Sequence, residues 1–190
     1  TNSVHWRFQV IEILDQQCAW RFGSGSGVCI TFLARMLGPT SVYMSTDINV
    51  KAACITSRDT ATRNSVTAGI VIFLRNISLN IVKSLLFLQV NCLSSRLSGC
   101  IDVLLFNPPS RSQPSQEVGS TDIEASWAGG IRGREVVDRL FPLVSSILSP
   151  EGVFYLVIIK ENNQGDDRLE QTYYFCIYIQ NNNQYSYHHK

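Results

Sequence analysis

The sequence predicts an α/β fold in which helices cover both faces of a doubly wound, mostly parallel sheet. Two observations lead to this prediction. Short apolar runs typical of buried parallel strands recur along the chain, and segments with helical apolar spacing lie between them. A third observation is a glycine-rich turn at residues 23–27, directly before one of the helical segments. Such a turn leads a strand into a helix and lets a ligand approach the backbone closely.

Composition indicates one globular domain spanning 1–190, because 45% of the 190 residues are hydrophobic and 16% are charged. The net charge of +1 gives no electrostatic case for nucleic acid as the main partner. The six cysteines include no Cys-x-x-Cys pair, which indicates buried thiols, and no metal site is predicted. The apolar region 70–92 is interrupted by polar residues, and residues 1–20 lack a secretory pattern. We therefore expect no membrane span and a cytoplasmic or nuclear location.

The clearest strand is the apolar run Ile101–Phe106, which stops at Asn107 and two prolines. Pro108 and Pro109 end the strand because they offer no backbone N–H. Open α/β sheets place ligands at the carboxyl ends of such strands. The Asn107 side-chain oxygen and the Pro108 carbonyl are two acceptors held close together. They fit a planar nitrogen with two N–H groups, such as an amide or an exocyclic amine.

The glycine turn is the second candidate site. Its glycines are Gly23, Gly25 and Gly27, and a helix pattern from Val28 to Leu37 follows them. About twenty residues beyond the turn, the strand Val42–Asp47 ends in a carboxylate, the separation at which an acid reaches ribose hydroxyls in nucleotide-binding units. Asp47 has an alternative role, which is to cap a helix over 49–64.

Other segments follow the same alternation. We predict a third strand at 70–74, helical spacing over 77–88, an amphipathic helix at 133–149 kinked by Pro142, a turn at 149–152 and a buried strand at 153–159. Residues 16–22 are predicted to make a poor buried strand, because Gln16, Gln17 and Arg21 interrupt it. At the end of the chain, Tyr173–Ile179 is a possible strand and 181–190 is predicted to be frayed.

The combination of glycine turn, acidic strand end and Asn107-Pro108-Pro109 resembles the signature of S-adenosylmethionine-dependent methyltransferases that act on glutamine amides or on adenine and cytosine amines. Downstream, the segments 112–119, 123–130, 133–139, 141–144 and 148–157 resemble the eukaryotic branch of the HemK-type glutamine methyltransferases. The resemblance covers roughly 23–163 and leaves 164–190 as an atypical tail. It implies a Rossmann-like class I methyltransferase sheet with atypical or incomplete terminal parts.

The resemblance also implies a function, which is N5-methylation of the glutamine in the Gly-Gly-Gln loop of a translation release factor. It implies S-adenosyl-L-methionine as cofactor and a small zinc-binding activator subunit docked on the sheet edge. The catalytic positions would be Asn107, Pro108, Pro109 and Ser110. The cofactor-binding positions would be Arg21, Gly23, Gly25, Gly27, Asp47, Asn80, Ile81 and Asn107.

Three positions depart from the pattern of that family. Arg21 stands where its members carry a glutamate that helps to hold the methionine end of the cofactor. Asn80 stands where they carry an aspartate for the adenine amine, and Ser110 where an aromatic ring packs on the substrate amide. Two alternatives stay open. One is the same fold acting on adenine in nucleic acid, which Asn-Pro-Pro chemistry permits. The other is a truncated, non-catalytic relative that binds a partner, which the three departures favour.

Overall fold

The computed structural model describes residues 17–47, 49, 55–66, 71–75, 97–115, 118, 127–159, 162, 173–179 and 184–189. The strands are β1 (Cys18–Phe22), β2 (Val42–Asp47), β3 (Val71–Arg75), β4 (Ile101–Phe106), β5 (Leu148–Ile159), β6 (Tyr173–Ile179) and β7 (Gln184–His189). The helices are α1 (Val28–Leu37), α2 (Ser57–Arg63) and α3 (Glu135–Ile147), with one turn of 3-10 helix at Ile131–Gly133.

All seven strands form one sheet in the order β3-β2-β1-β4-β5-β6-β7. The strands β1 to β5 run parallel, and β6 is antiparallel to both of its neighbours. The strand order reverses between β1 and β4, which is the switch point beside which doubly wound sheets bind ligands. The predicted Rossmann-like α/β fold is confirmed. None of the helices in the described part of the chain is long and apolar enough to cross a bilayer.

Two hydrophobic layers enclose the central strands. On one face, Trp20 and Phe22 of β1 pack with the buried side of α3. On the other face, Ala19 of β1 and Tyr43 of β2 pack with α1. Successive side chains of a strand point to opposite faces, so β1 and β4 are buried on both sides. The apolar periodicity of α1 and α3 arises because each helix buries one stripe against this sheet.

The prediction of a poor strand at 16–22 is wrong, because β1 is the centre of the sheet between β2 and β4. Its polar residues are buried with the apolar ones: Gln17 donates its backbone N–H to the Ser41 hydroxyl, and Arg21 is only 9% exposed. Parallel partners on both sides bond the backbone, which makes strand formation insensitive to single polar side chains. The polar residues that interrupt the apolar run at 16–22 therefore did not prevent a buried strand.

Several boundaries also differ from the predictions. The predicted turn at 149–152 is part of strand β5. The pairing of β5 with β4 shifts register there, between Ile101 and Val103 of β4. A Cβ at Gly152 would lie 2.6 Å from the Ile101 carbonyl oxygen, so glycine lets the two strands run side by side there. The predicted frayed end is wrong over Gln184–His189, because β7 pairs with β6 along its length.

The remaining predictions divide between confirmed elements and undescribed residues. The strands Val42–Asp47 and Ile101–Phe106 and the helix Val28–Leu37 are confirmed, and the third strand lies at Val71–Arg75. Pro142 lies inside α3 at an exposed position. The helical spacing over 77–88 falls outside the described residues, as do Asn80 and Ile81. The prediction of buried thiols is wrong for Cys29 and Cys100, which are exposed.

Candidate cofactor and substrate site

The carboxyl ends of three neighbouring strands meet at one edge of the sheet. The register pairs Phe22 of β1 with Phe106 of β4 and with Thr46 of β2. The next residues along these strands are three predicted site residues: Gly23, Asp47 and Asn107. Because parallel neighbours run in step, the glycine turn, the acidic strand end and the Asn-Pro corner lie side by side.

The glycine turn needs its glycines for different reasons. Gly23, Gly25 and Gly27 have φ of 71°, 53° and 78°, in the left-handed region that L side chains disfavour. A Cβ at Gly27 would also lie 2.5 Å from the Ser57 Cα, so this glycine lets α2 approach the start of α1. At Gly25 a Cβ would meet no atom within 4 Å. The turn is therefore packed against α2 at Gly27 and open at Gly25.

Asp47 fastens the glycine turn. Its Oδ2 accepts from the Gly25 backbone N–H at 2.8 Å and from the Ser24 hydroxyl at 3.2 Å, while Oδ1 accepts from the Asn49 N–H at 2.8 Å. The alternative role, as a cap of a helix over 49–64, depends on residues 50–54, which lie outside the described part of the chain. A carboxylate has about four acceptor positions, so three contacts leave capacity for a ribose hydroxyl.

Asn107 is exposed at the end of β4, whereas Pro108 behind it is buried and Ser110 is half-buried. Among the described residues, none bonds the Asn107 side chain. A Cβ at Gly23 would be 4.0 Å from the Phe106 ring, which shows how close the turn lies to the end of β4. The Asn107 amide is thus a free hydrogen-bonding group beside the glycine turn.

The corner at 107–110 is held from behind by Asn162, a residue that sequence reasoning missed. The Asn162 Nδ2 donates to the Ser110 carbonyl at 2.8 Å and to the Arg132 carbonyl at 3.0 Å, and its Oδ1 accepts from the Ile159 N–H at 3.3 Å. Its side chain is nearly buried, at 8% exposure. The available signal was its position just past the carboxyl end of β5, the same logic that identified Asn107.

Two glycines also fit the corner closely, and neither was predicted. A Cβ at Gly129 would overlap the Pro109 carbonyl oxygen, and a Cβ at Gly133 would overlap the Ser110 carbonyl oxygen. Gly129 further donates its N–H to the Arg111 carbonyl at 2.9 Å, and Arg111 donates to the Trp127 carbonyl at 2.9 Å. The segment after Ser110 is therefore bonded to the residues around 127–133.

Glu135 ties this segment to α3. Its Oε1 accepts from the Ser115 hydroxyl at 2.5 Å and from the Ile131 N–H at 3.0 Å. Arg139 lies 3.5 Å from the other carboxylate oxygen, one turn along the helix. Through Glu135, the first turn of α3 therefore bonds both Ser115 and Ile131, which lie on either side of the residues packed behind the Asn-Pro corner.

Arg21 is the unusual member of the predicted site. It is the penultimate residue of β1 and is 9% exposed, and its buried Nε has no hydrogen-bond partner. Burial lowers the pKa of the Arg21 guanidinium, and Cys29 and Asp47 act in the opposite direction. Within the described ranges, no carboxylate forms an ion pair with it. The position therefore holds a buried cation that the Asp47 charge offsets only in part and without an ion pair.

Three proteins show what the chain is similar to. It is 50% identical to "Methyltransferase HEMK2" of Homo sapiens and 47% identical to that of Mus musculus, each over 152 residues, which are 80% of this chain and 64% of the relative. It is 32% identical to "eRF1 methyltransferase catalytic subunit mtq2" of Schizosaccharomyces pombe over 144 residues, 74% of this chain and 58% of that protein. The chain is thus similar in sequence to proteins named as methyltransferases.

The chain spans less than two thirds of the length of these HemK-type relatives. No protein-family model matches it. Among solved structures, TrmN from Thermus thermophilus superposes with a TM-score of 0.49 at 16% identity, covering 90% of this chain and 43% of that one. A similarity at this TM-score and identity says nothing about activity.

Proposed function

We propose that the chain is an S-adenosylmethionine-dependent methyltransferase that acts on the side-chain nitrogen of a glutamine. The observation that carries the proposal is the free Asn107 amide beside the glycine turn and Asp47 at one edge of the sheet. The names of the relatives support the same reaction class. A ligand in this crevice would touch both the cofactor-binding and the substrate-binding residues.

The residues of the crevice fit a nucleoside cofactor in part. The open side of Gly25 and the remaining acceptor capacity of Asp47 suit an adenosine group, and the free N–H groups at the start of α1 suit a carboxylate. Arg21 does not match a cationic cofactor, since it is a buried positive charge where the resemblance leads us to expect an acid. The bound cofactor would supply an activated methyl group, and Gly23, Gly25, Gly27 and Asp47 would hold it.

The Asn-Pro corner would position the substrate. A glutamine amide nitrogen is a poor nucleophile, because its lone pair is delocalised into the carbonyl. Hydrogen bonds from its two N–H groups to the Asn107 Oδ1 and the Pro108 carbonyl would fix its orientation. The same acceptors lie where positive charge develops on nitrogen, so they stabilise the transition state more than the ground state. Asn162 supports this geometry by holding the Ser110 carbonyl.

The substrate and partner follow from the same family. We propose that the glutamine belongs to the Gly-Gly-Gln loop of a translation release factor, as the resemblance implies. The name of the fission yeast relative supports a release factor as the substrate. That name also describes a catalytic subunit, which supports an assembly with a second chain. We propose that the second chain is a small zinc-binding activator, docked at the edge of the sheet of the catalytic chain. The near-neutral charge of this chain fits protein partners better than nucleic acid.

Calorimetry tests the cofactor first. Titration of S-adenosylmethionine into the chain, with the activator subunit present, is expected to show binding. Absence of binding at hundreds of micromolar would overturn the enzyme proposal and favour a non-catalytic relative.

A labelled-methyl assay then tests the substrate. The release factor is compared with its Gly-Gly-Ala variant and with an adenine-containing duplex. Label on the wild-type factor alone is expected. Label on the duplex alone would replace the proposal with adenine methylation.

A further inference from the structure

A buried cation that forms no ion pair within the described residues lies beneath the glycine turn. Arg21 is nine-tenths buried, and its Nε has no hydrogen-bond partner. Its neighbour across the β1–β2 ladder is Ser45, whose Oγ is buried and also without a partner. An arginine keeps its proton even when burial lowers its pKa, so the positive charge remains. The Arg21 Nε and the Ser45 Oγ are thus two buried polar atoms that make no hydrogen bond.

The position of Arg21 relates this charge to the site. Ala19 and Tyr43 pack beneath α1, so Arg21 and Ser45, two residues further along their strands, lie on the same face and nearer the carboxyl edge. Burial lowers the pKa of Arg21, and Cys29 in the first turn of α1 and the Asp47 carboxylate act in the opposite direction. The first turn of α1 has no acidic residue and no side-chain cap. Two sources of positive potential, the guanidinium and the helix N-terminus, therefore act together.

We propose that Arg21 sets the charge preference of the glycine-turn site and makes it discriminate against the sulfonium of S-adenosylmethionine in favour of the uncharged thioether of S-adenosylhomocysteine. This inference rests on the proposed function. The two ligands share the nucleoside, the carboxylate and the ammonium, and they differ in one methyl group and one positive charge. A fixed buried cation repels only that extra charge, whereas it attracts the carboxylate of both ligands equally. Methyl transfer would then be sensitive to the ratio of the two ligands.

The test is the ratio of two dissociation constants, Kd for S-adenosylmethionine over Kd for S-adenosylhomocysteine, measured by calorimetry on the full chain. Arg21→Gln is expected to lower this ratio about tenfold, the effect of roughly one like charge at short range in a partly desolvated site. Arg21→Glu is expected to lower it further, and Arg21→Lys to leave it unchanged. The matched control is Arg35→Gln, which removes the same charge from an exposed position in the last turn of α1.

If Arg21 had a purely structural role, its substitution would weaken the binding of both ligands alike and leave the ratio of the two dissociation constants unchanged. A constant ratio across all variants would therefore refute the inference while the cofactor proposal stands. An equal fall in Arg35→Gln would also refute it, since net charge alone would then explain the effect. Binding of neither ligand to any folded variant, with folding checked by thermal unfolding, would instead overturn the proposed function. If one Arg21 variant fails to fold, the others carry the comparison.

Discussion

The two ends of β4 carry similar polar side chains in opposite situations. At the amino end, Asp102 accepts from the Cys18 backbone N–H and from the Ser149 hydroxyl, both at 2.7 Å. It thereby joins the three central strands β1, β4 and β5. At the carboxyl end, Asn107 is exposed, and in the described part of the chain nothing bonds its side chain. A satisfied polar group stabilises the fold, whereas a free one at the open edge is available to a ligand.

The amino end of β4 also lies beside a thiol with a raised pKa. Burial raises the pKa of the Cys18 thiol to about 11, and the Asp102 charge adds to this. The thiol therefore stays protonated at neutral pH and is a poor nucleophile there. At the carboxyl edge, by contrast, Arg21 forms no ion pair within the described residues, and the Asn107 amide is free. The comparison assigns stability to one end of the strand and chemistry to the other, and each assignment can be tested separately.

The largest expected effect is on methyl transfer in Asn107→Ala. Loss of one acceptor aimed at the developing charge is expected to lower kcat about a hundredfold or more. Stability should change by less than about 0.5 kcal/mol, because the side chain is exposed. The labelled-methyl assay and denaturant unfolding measure the two effects. The matched control is Asn64→Ala at the exposed end of α2, which should leave kcat unchanged. Full activity in Asn107→Ala would refute its catalytic role.

The opposite pattern is expected in Asp102→Ala. Removal of the carboxylate leaves the Cys18 N–H and the Ser149 hydroxyl unpaired, which should lower the free energy of unfolding by about 2 kcal/mol. Activity per folded molecule should be kept, because Asp102 lies at the far end of the strand from the site. Denaturant unfolding and an active-fraction measurement check this. Equal stability in the two proteins would show that water replaces the lost contacts.

The Asp102→Asn variant separates charge from shape. It keeps an oxygen that can accept from Cys18 while removing the negative charge. Since that charge raises the pKa of the Cys18 thiol, the variant is expected to shift the pH profile of Cys18 alkylation to lower pH. Burial remains the main cause of the raised pKa, so the shift should be only partial.

A helix or strand could be predicted wherever the apolar pattern of its own sequence matched the face that it buries in the structure. The run Ile101–Phe106 and the helix Val28–Leu37 were recognisable because each buries a face that its own sequence displays. The strand β1 was not, since Arg21 and Gln17 are buried by the strands on either side rather than by an apolar pattern of their own. Burial of a polar residue is decided by tertiary neighbours, which no local window contains.

The site divides in the same way. The glycine turn, Asp47 and Asn107 are each marked by a residue type at a strand end, so their common edge followed from the parallel topology. The support of the corner did not. Asn162 bonds Ser110 across 52 positions of sequence, and a Cβ at Gly133 would overlap both Ser110 and Asn162. Such contacts carry no signal until the strands are paired.

A smaller effect is expected when this support is removed. Asn162→Ala loses the donor to Ser110 and to Arg132 and should lower kcat/KM about tenfold, a misplacement effect smaller than the loss of Asn107 itself. Asn162→Asp is the matched variant, because it keeps the acceptor for the Ile159 N–H but loses both donors. If Asn162 only positions the corner, the cofactor Kd stays constant while KM for the substrate rises. A change in cofactor Kd of the same size would contradict that role.

The smallest expected effect is a gain in Ser110→Tyr. The serine is half-buried beside the free amide of the corner, and it stands where the resemblance leads us to expect an aromatic ring against the substrate amide. Restoring that ring should add about 1 kcal/mol of packing, or roughly a fivefold gain in kcat/KM. Ser110→Leu is the control, since it adds apolar volume without a planar face. An equal gain in both variants would attribute the effect to burial alone. No gain in either would show that position 110 does not face the substrate, and the bond from Asn162 would then be the only contribution of this residue to the site.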